Sequence, residues 1–499
     1  MKKIIKILFV LMAGLMIFSA CEQDLAEMNI SPSAANEIDP GFMLTYVQLN
    51  TSGERYENWR AVLIYSSTMI QHFATLPTYW CGDKYLYSGS YSASLWERAY
   101  RNYVKELVVL MEELQDKPVE LAIVKVWWVA AMHRVTDLYG DIPYSESGRG
   151  YLDGNLEPKY DSQESIYMDM LTKLEEANAA LSGTSTFGKQ DIVFGGDVAK
   201  WKKYANSLML RLGMRMSKVD AAKAQEWVQK AISGGVMASN DDNALVYHTN
   251  GPEGRNKNGI GQVFNWNGER YTTDASAKWS ETFAAFLDGD PRLDVLAWHV
   301  DGNAFKAMPN GYDATTIKDH SSWDGESASY SMITPAFVLN EAPMIFQLYS
   351  EVEFLLAEAA VRGWGATDAA GHFANGIKAH MEYLNTYDLA TYGKTPITAD
   401  DMDAYVAANP LESGKEQELI GTQMWITTIL NEYEAYANWR RTGYPVLTPT
   451  NYPGNQSNGQ IPRRLRYPAG EASSNKAAYD AAVSAQGPDE FTTRMWWDK

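Results

Sequence analysis

The sequence predicts a mainly α-helical protein of packed helical hairpins, interrupted by one long irregular region. Three observations carry this. Apolar residues recur at the 3,4 spacing of a single buried helix face over several long segments. Short polar or Gly-containing turns separate those segments, which makes successive helices pack as neighbours. Between about residues 240 and 343 the composition shifts to Gly, Asn, Asp and Ser with isolated aromatics, and long irregular stretches of this kind usually form functional surfaces.

Taken in order, the first twenty residues form an export leader. Lys2, Lys3 and Lys6 precede an apolar run from Ile7 to Phe18 that is too short to span a bilayer. Ser19 and Ala20 stand directly before Cys21, an arrangement that resembles the lipobox of bacterial lipoproteins, so Cys21 is expected to carry the lipid. Glu22, Gln23 and Asp24 resemble the acidic signal that sends Bacteroidetes lipoproteins to the outer face of the outer membrane. Residues 21–40 are polar and read as a lipidated tether, and a single domain is expected over 41–499.

Within that domain, helical hairpins are expected over about 41–239 and 344–440. Val119 to Leu138 has the strongest pattern, with Ile123, Val126, Trp127, Ala130 and Leu138 on one face. Similar spacing covers Tyr56 to Leu76, Leu95 to Leu114, Glu164 to Leu181, Val198 to Met216 and Ala221 to Ile232. Trp96, Trp127, Trp128 and Trp201 fall on these patterns and are expected in the core. A later stripe runs from Ile345 to Ala360 with Glu351, Glu353 and Glu358 off it, and Gly371 to Leu384 completes a hairpin. The region 240–343 holds one clear helix, near Ser276 to Leu287, and a second irregular stretch runs from Pro445 to Pro468.

Composition narrows the function. The net charge is -19, and -22 without the three leader lysines, which repels phosphate backbones and argues against nucleic acid as a partner. Cys81 is the only cysteine besides Cys21, so no intrachain disulfide is available after acylation, and Cys81 is expected to be a small buried residue. The seven histidines form no H-E-x-x-H, no G-x-S-x-G elbow occurs, and Gly259-Ile260-Gly261 lacks the third glycine of a dinucleotide loop. Asp288, Asp290 and Asp294 depart from EF-hand spacing, and Asp290-Pro291-Arg292 reads as a turn. Calcium therefore stays open without a motif, and no catalytic residue, metal ligand or cofactor is assigned. A glycosidase pair would need two carboxylates brought together in space at a set separation, which is a property of the fold.

Aromatic residues make up 12% of the chain, and rings in polar loops suit sugars, which need a flat apolar platform beside donors and acceptors. The candidates are Tyr79, Trp80, Asp83 and Tyr85 in one loop, and Asn265, Trp266, Tyr271, Trp298 and Trp323 in the irregular region.

Three segments carry a family likeness: Arg134-Val135-Thr136-Asp137-Leu138-Tyr139-Gly140-Asp141-Ile142-Pro143-Tyr144-Ser145-Glu146, Glu434-Ala435-Tyr436-Ala437-Asn438-Trp439-Arg440-Arg441-Thr442-Gly443-Tyr444-Pro445, and Ile461-Pro462-Arg463-Arg464-Leu465-Arg466-Tyr467-Pro468. With Asp290-Pro291-Arg292-Leu293 and Glu353 to Ala359 they resemble, in order, the SusD/RagB family of outer-membrane nutrient-binding lipoproteins. The resemblance implies a tetratricopeptide-like helical fold, capture of oligosaccharides without catalysis, and delivery to a partner TonB-dependent barrel. It also leaves room for peptide capture, or for a lid subunit with little affinity of its own. The loop from Tyr79 to Tyr85 is similar in position to one that contributes glycan contacts in some members. The residues themselves suggest an architectural role for Arg440, Arg441, Arg463, Arg464 and Arg466, as bridges to carboxylates between helices.

Overall fold

The structure is a computed structural model, and it describes residues 38–265, 277–299 and 304–499. Its helices include α1 (Pro40–Ser52), α2 (Asn58–Ser67), α3 (Pro118–Tyr139), α4 (Gln163–Ala180), α5 (Val198–Arg215) and α6 (Ala221–Gly234). Further along the chain come α7 (Gly259–Phe264), α8 (Glu281–Phe286), α9 (Tyr349–Arg362), α10 (Ala369–Leu384), α11 (Glu416–Thr427) and α12 (Glu432–Thr442). Several of the long helices start at a capping side chain. Asp39 accepts from the Gly41 N–H at the head of α1, Ser162 from Ser165 on α4, and Asp197 from Ala199 and Lys200 on α5. These side chains satisfy donors that a helix cannot pair internally.

Sequential helices pack as pairs: α3 on α4, α4 on α5, α5 on α6, α9 on α10 and α11 on α12. The C-terminal α12 returns to pack on α2 and α3, so the two helical blocks share one core that runs from Leu44 to Trp497. Trp96, Trp127, Trp128 and Trp201 are all buried in it, as is Cys81. Strands are short. β1 (Phe73–Ala74) pairs antiparallel with β3 (Lys278–Trp279), and β2 (Ala244–Val246) with β4 (Met344–Gln347).

Several expected elements differ in detail. The run from Tyr56 to Leu76 forms a π-helix over α2, then leaves helical geometry at Gln71, whose φ is 63°, and enters β1. Leu95 to Leu114 is two helices, Ser94–Asn102 and Val104–Glu113, broken at Tyr103. Ile345 belongs to β4, and the helix begins only at Tyr349. The segment near Ser276 to Leu287 opens as strand β3 before the short α8.

The largest departure concerns charge. Glu351, Glu353 and Glu358, expected off the apolar stripe of α9, are all buried, because the helix is covered on every side from Ser350 to Ala359. Glu351 accepts two hydrogen bonds from Arg211, at 2.7 Å each. Glu358 is held by both terminal nitrogens of Arg441, at 2.8 and 2.7 Å, and by Arg362. Burial favours the protonated form of Glu358, but the adjacent Arg441 outweighs it and holds the carboxyl below its usual range. Arg215 reaches Glu434 at 2.6 Å, and Arg463 pairs with the buried Asp498. Arg464 and Arg466 lie 3.3 and 3.8 Å from Asp489. Arg440 is the exception among the expected bridges, since it donates to the carbonyls of Tyr436, Arg463 and Asp137.

Candidate functional site

The loop after β1 is fixed by a buried polar knot. Lys84 Nζ donates to Asp83 Oδ1 at 2.8 Å, to the Thr75 carbonyl at 2.8 Å and to the Trp80 carbonyl at 3.2 Å. A buried cation and carboxylate are tolerable only when both are satisfied in this way. Asp83 Oδ2 accepts from the Gly311 N–H, and the Asp83 carbonyl accepts from Thr450 Oγ1 at 2.5 Å. Tyr85 Oη accepts from the Thr450 N–H at 3.2 Å, and the Tyr85 carbonyl from Gln456 at 2.9 Å. Three distant loops are thus stapled at one place. Gly82 makes the loop fit against α2: a Cβ there would lie 1.7 Å from the Ile64 carbonyl oxygen.

This geometry corrects part of the expected site. Trp80, Asp83 and Tyr85 are buried at 3%, 0% and 0% exposure, so they form the floor that holds the loop and present no face to a ligand. Tyr79 is different, with 52% of its surface exposed. It meets Trp59 edge-on, with centroids 6.2 Å apart, and Trp59 meets Tyr91 at 5.6 Å. Arg60 lies over Tyr56, Trp59 and Tyr91 at 5.0, 5.8 and 5.3 Å, and Arg55 over Tyr56 and Trp59 at 5.4 and 5.3 Å. Cations at these distances are attracted to the ring faces and hold them in place. The result is a fixed platform of four rings and two guanidiniums, open at Tyr56 and Tyr79.

Why the platform forms is legible at the start of α2. Tyr56, Trp59 and Arg60 are spaced i, i+3 and i+4, which places them on one helix face. That spacing is visible in the sequence, but it lies on a helical segment, whereas the ligand candidates are read from polar loops. Behind the platform, α7 packs on α2 and on the Arg55–Glu57 turn. Gly259 permits this contact, because a Cβ would lie 2.1 Å from Asn58 Nδ2 and 2.6 Å from the Glu54 carbonyl oxygen. The pair Gly259 and Gly261 therefore serves close packing of backbone on backbone.

The remaining candidates are scattered. Asn265 caps α7, donating to the Gly261 and Val338 carbonyls at 2.8 and 2.7 Å. Trp298 is half-buried in a strand whose partner across the ladder is Met332. Trp323 is half-buried and stacks on Tyr330, with centroids 6.4 Å apart. Trp266, Tyr271 and Cys21 lie outside the described residues. Asp290 spends both carboxylate oxygens on Arg292, at 2.5 to 3.1 Å, which pins the Asp-Pro-Arg turn. Among the described residues no group of three or more His, Cys, Asp or Glu could hold a metal ion, and no helix is long and apolar enough to cross a membrane.

Comparison with known proteins fixes the family. Residues 32–468 match the model of the SusD-like family described as starch-binding and associating with the outer membrane. The chain belongs to the SusD-like family. A structure named as a chitin-binding protein is 35% identical, covers 92% of this SusD-like chain and 100% of its own, and superposes with a TM-score of 0.82. A Bacteroidetes SusD-like protein is 26% identical over 93% of this chain and 100% of its own, with a TM-score of 0.81. A SusD homologue from Bacteroides thetaiotaomicron is 27% identical over 93% and 99%, with a TM-score of 0.74. No curated protein matches. The helical hairpins of this SusD-like chain are thus those of a tetratricopeptide-like fold.

Proposed function

We propose that this SusD-like protein captures oligosaccharides at the cell surface, held to the outer membrane by a lipid on Cys21, and passes them uncleaved to a TonB-dependent barrel. The observation that carries the reading is the exposed platform of Tyr56, Trp59, Tyr79 and Tyr91, kept rigid by Arg55 and Arg60. Rings so placed stack on the apolar face of a pyranose, while the tyrosine hydroxyls and guanidiniums meet its hydroxyls. Rigidity matters because binding then orders few side chains. The family description and the chitin-binding neighbour support a glycan as the ligand.

The test is calorimetry of the chain from residue 22 against chito-, malto-, cello- and xylo-oligosaccharides and against peptides, with product analysis of the same samples. Saturable binding of one glycan series with no new products is expected. Product formation would replace capture with catalysis, and binding of peptides alone would change the ligand class.

A further inference from the structure

The exposed apolar residues of this chain gather at one corner. Among the described residues eleven large apolar or aromatic side chains stand exposed, and five of them are Ile38, Phe42, Tyr151, Leu152 and Leu156. Ile38, Phe42 and Tyr151 line one open groove of about 930 Å³, together with Tyr46 and Val109. Leu152 follows Tyr151, and Leu156 closes over Gly150, where a Cβ would lie 3.0 Å from its methyl carbon. Tyr151 and Leu156 are the most exposed of the eleven, at 81% and 83%. Single exposed side chains are ordinary, but a cluster marks a surface that meets something apolar.

Local structure explains the corner. Phe42 and Tyr46 are one turn apart on α1, so both project from one face of a helix that packs beside Val104–Glu113. Tyr151 and Leu152 ride on the single turn Gly150–Asp153, which is tied at its base by Arg149, bonded to Asp153 at 2.9 Å. The charges around the groove are mixed. Lys105 lies 5.8 Å from the centre of the Tyr151 ring and 3.6 Å from Glu106, and Glu113 is also in the wall. The groove thus offers no field of one sign to steer a charged partner, and what it offers is apolar surface.

Position along the chain points to the occupant. The lipidated tether proposed above joins the fold at Ile38, on the rim of the groove, seventeen positions after Cys21. That length reaches at most about 60 Å, so the head of α1 is the part of the body tied most closely to the anchor. A tyrosine beside an ammonium, flanked by Leu, Ile and Phe, is also the composition that settles at a bilayer interface.

We propose that this corner is a membrane-docking face, where Phe42, Tyr151, Leu152 and Leu156 enter the headgroup region of the bilayer that holds the Cys21 lipid. This rests on the lipid-anchor reading and adds an orientation to it. From Pro40 to Ser52, α1 is about 20 Å long, and the ring platform begins just beyond its far end, at Tyr56. Docking by the head of α1 therefore leaves the platform clear of the bilayer and open to glycan.

The experiment sediments the chain from residue 22 with vesicles of phosphatidylcholine, with and without phosphatidylglycerol. Wild type is expected to partition onto phosphatidylcholine alone, with no gain from the anionic lipid and no loss in high salt. Tyr151→Ser combined with Leu156→Ser should weaken partitioning at least about tenfold at an unchanged unfolding curve, because both side chains already stand in water. Val446→Ser removes an exposed apolar side chain that does not line the groove, and should partition as wild type. Equal partitioning of wild type and the double variant overturns the docking face. Wild type that stays in solution overturns it too. Sedimentation then gained by a chain begun at residue 38 assigns the corner to residues 22–37, and sedimentation of neither chain assigns it to a protein partner. The vesicle result needs no lipid on Cys21, so the anchor stands or fails separately, by the mass of the N-terminal peptide of the full chain.

Discussion

Arginine plays opposite parts in two regions of this molecule. Between α5, α9 and α12, Arg211, Arg215 and Arg441 are almost fully buried, and each is matched to a carboxylate at 2.6 to 2.8 Å. At the head of α2, Arg60 is half-buried and lies over three rings, with no carboxylate within ion-pair distance among the described residues. The interior arginines fix how helices meet. The surface arginine instead holds aromatic rings in place. The same planar cation serves both uses because its fork suits a carboxylate and its face suits an aromatic ring.

Substitutions should separate the two regions cleanly. The largest effect is expected for Arg441→Ala, which strands the buried Glu358 carboxylate and should cost about 3–5 kcal/mol of stability in chemical unfolding. Replacing both partners by leucine should cost much less, since no unpaired charge then remains. An equal loss in the single and double variants would remove the interior ion pair from the account.

Acid comes next. His248 is buried, bonded to Ser52 Oγ at 2.7 Å, and burial holds its pKa down to about 4 from 6.5. As pH falls below 6.5 the unfolded chain takes the proton first, so stability is full above 6.5, declines below it, and is lost through pH 4. A shift of this size corresponds to a loss on the order of 3 kcal/mol. His248→Gln should flatten that part of the pH profile, and an unchanged profile would assign the acid sensitivity elsewhere.

Gly82→Ala should cost about 1–3 kcal/mol, because the new methyl group meets the Ile64 carbonyl and the loop must move. It should also weaken glycan binding through Tyr79, which Arg441→Ala should not do under conditions where it stays folded. The smallest effect on the fold is expected at the platform. Trp59→Ala should lower glycan affinity by about 1 kcal/mol or more while disturbing stability less than any variant above.

The helical skeleton was legible because a helix buried on one face repeats its apolar residues in a way no other element does, as in Val119 to Leu138. The interior charges were not. Glu351 and Glu358 look like a solvated face until Arg211 and Arg441, far away in sequence, are brought to them. The loop from Tyr79 to Tyr85 failed in the same way, since Asp83 and Tyr85 owe their burial to Lys84, Gly311 and Thr450. Only packing decides that Tyr79 faces outward while Trp80 faces in. Trp59 and Arg60 lie within the helical segment from Tyr56 to Leu76, and no loop signal marks them as ligand candidates.

The central claim is that the ring platform at the head of α2 binds sugar. Its most direct test is titration of wild type and Trp59→Ala with chito- and malto-oligosaccharides under the same conditions, with unfolding curves for both. The account predicts saturable binding in wild type and at least about fivefold weaker binding in the variant at nearly equal stability. Equal affinity in the two proteins would contradict it and place the ligand elsewhere on the molecule.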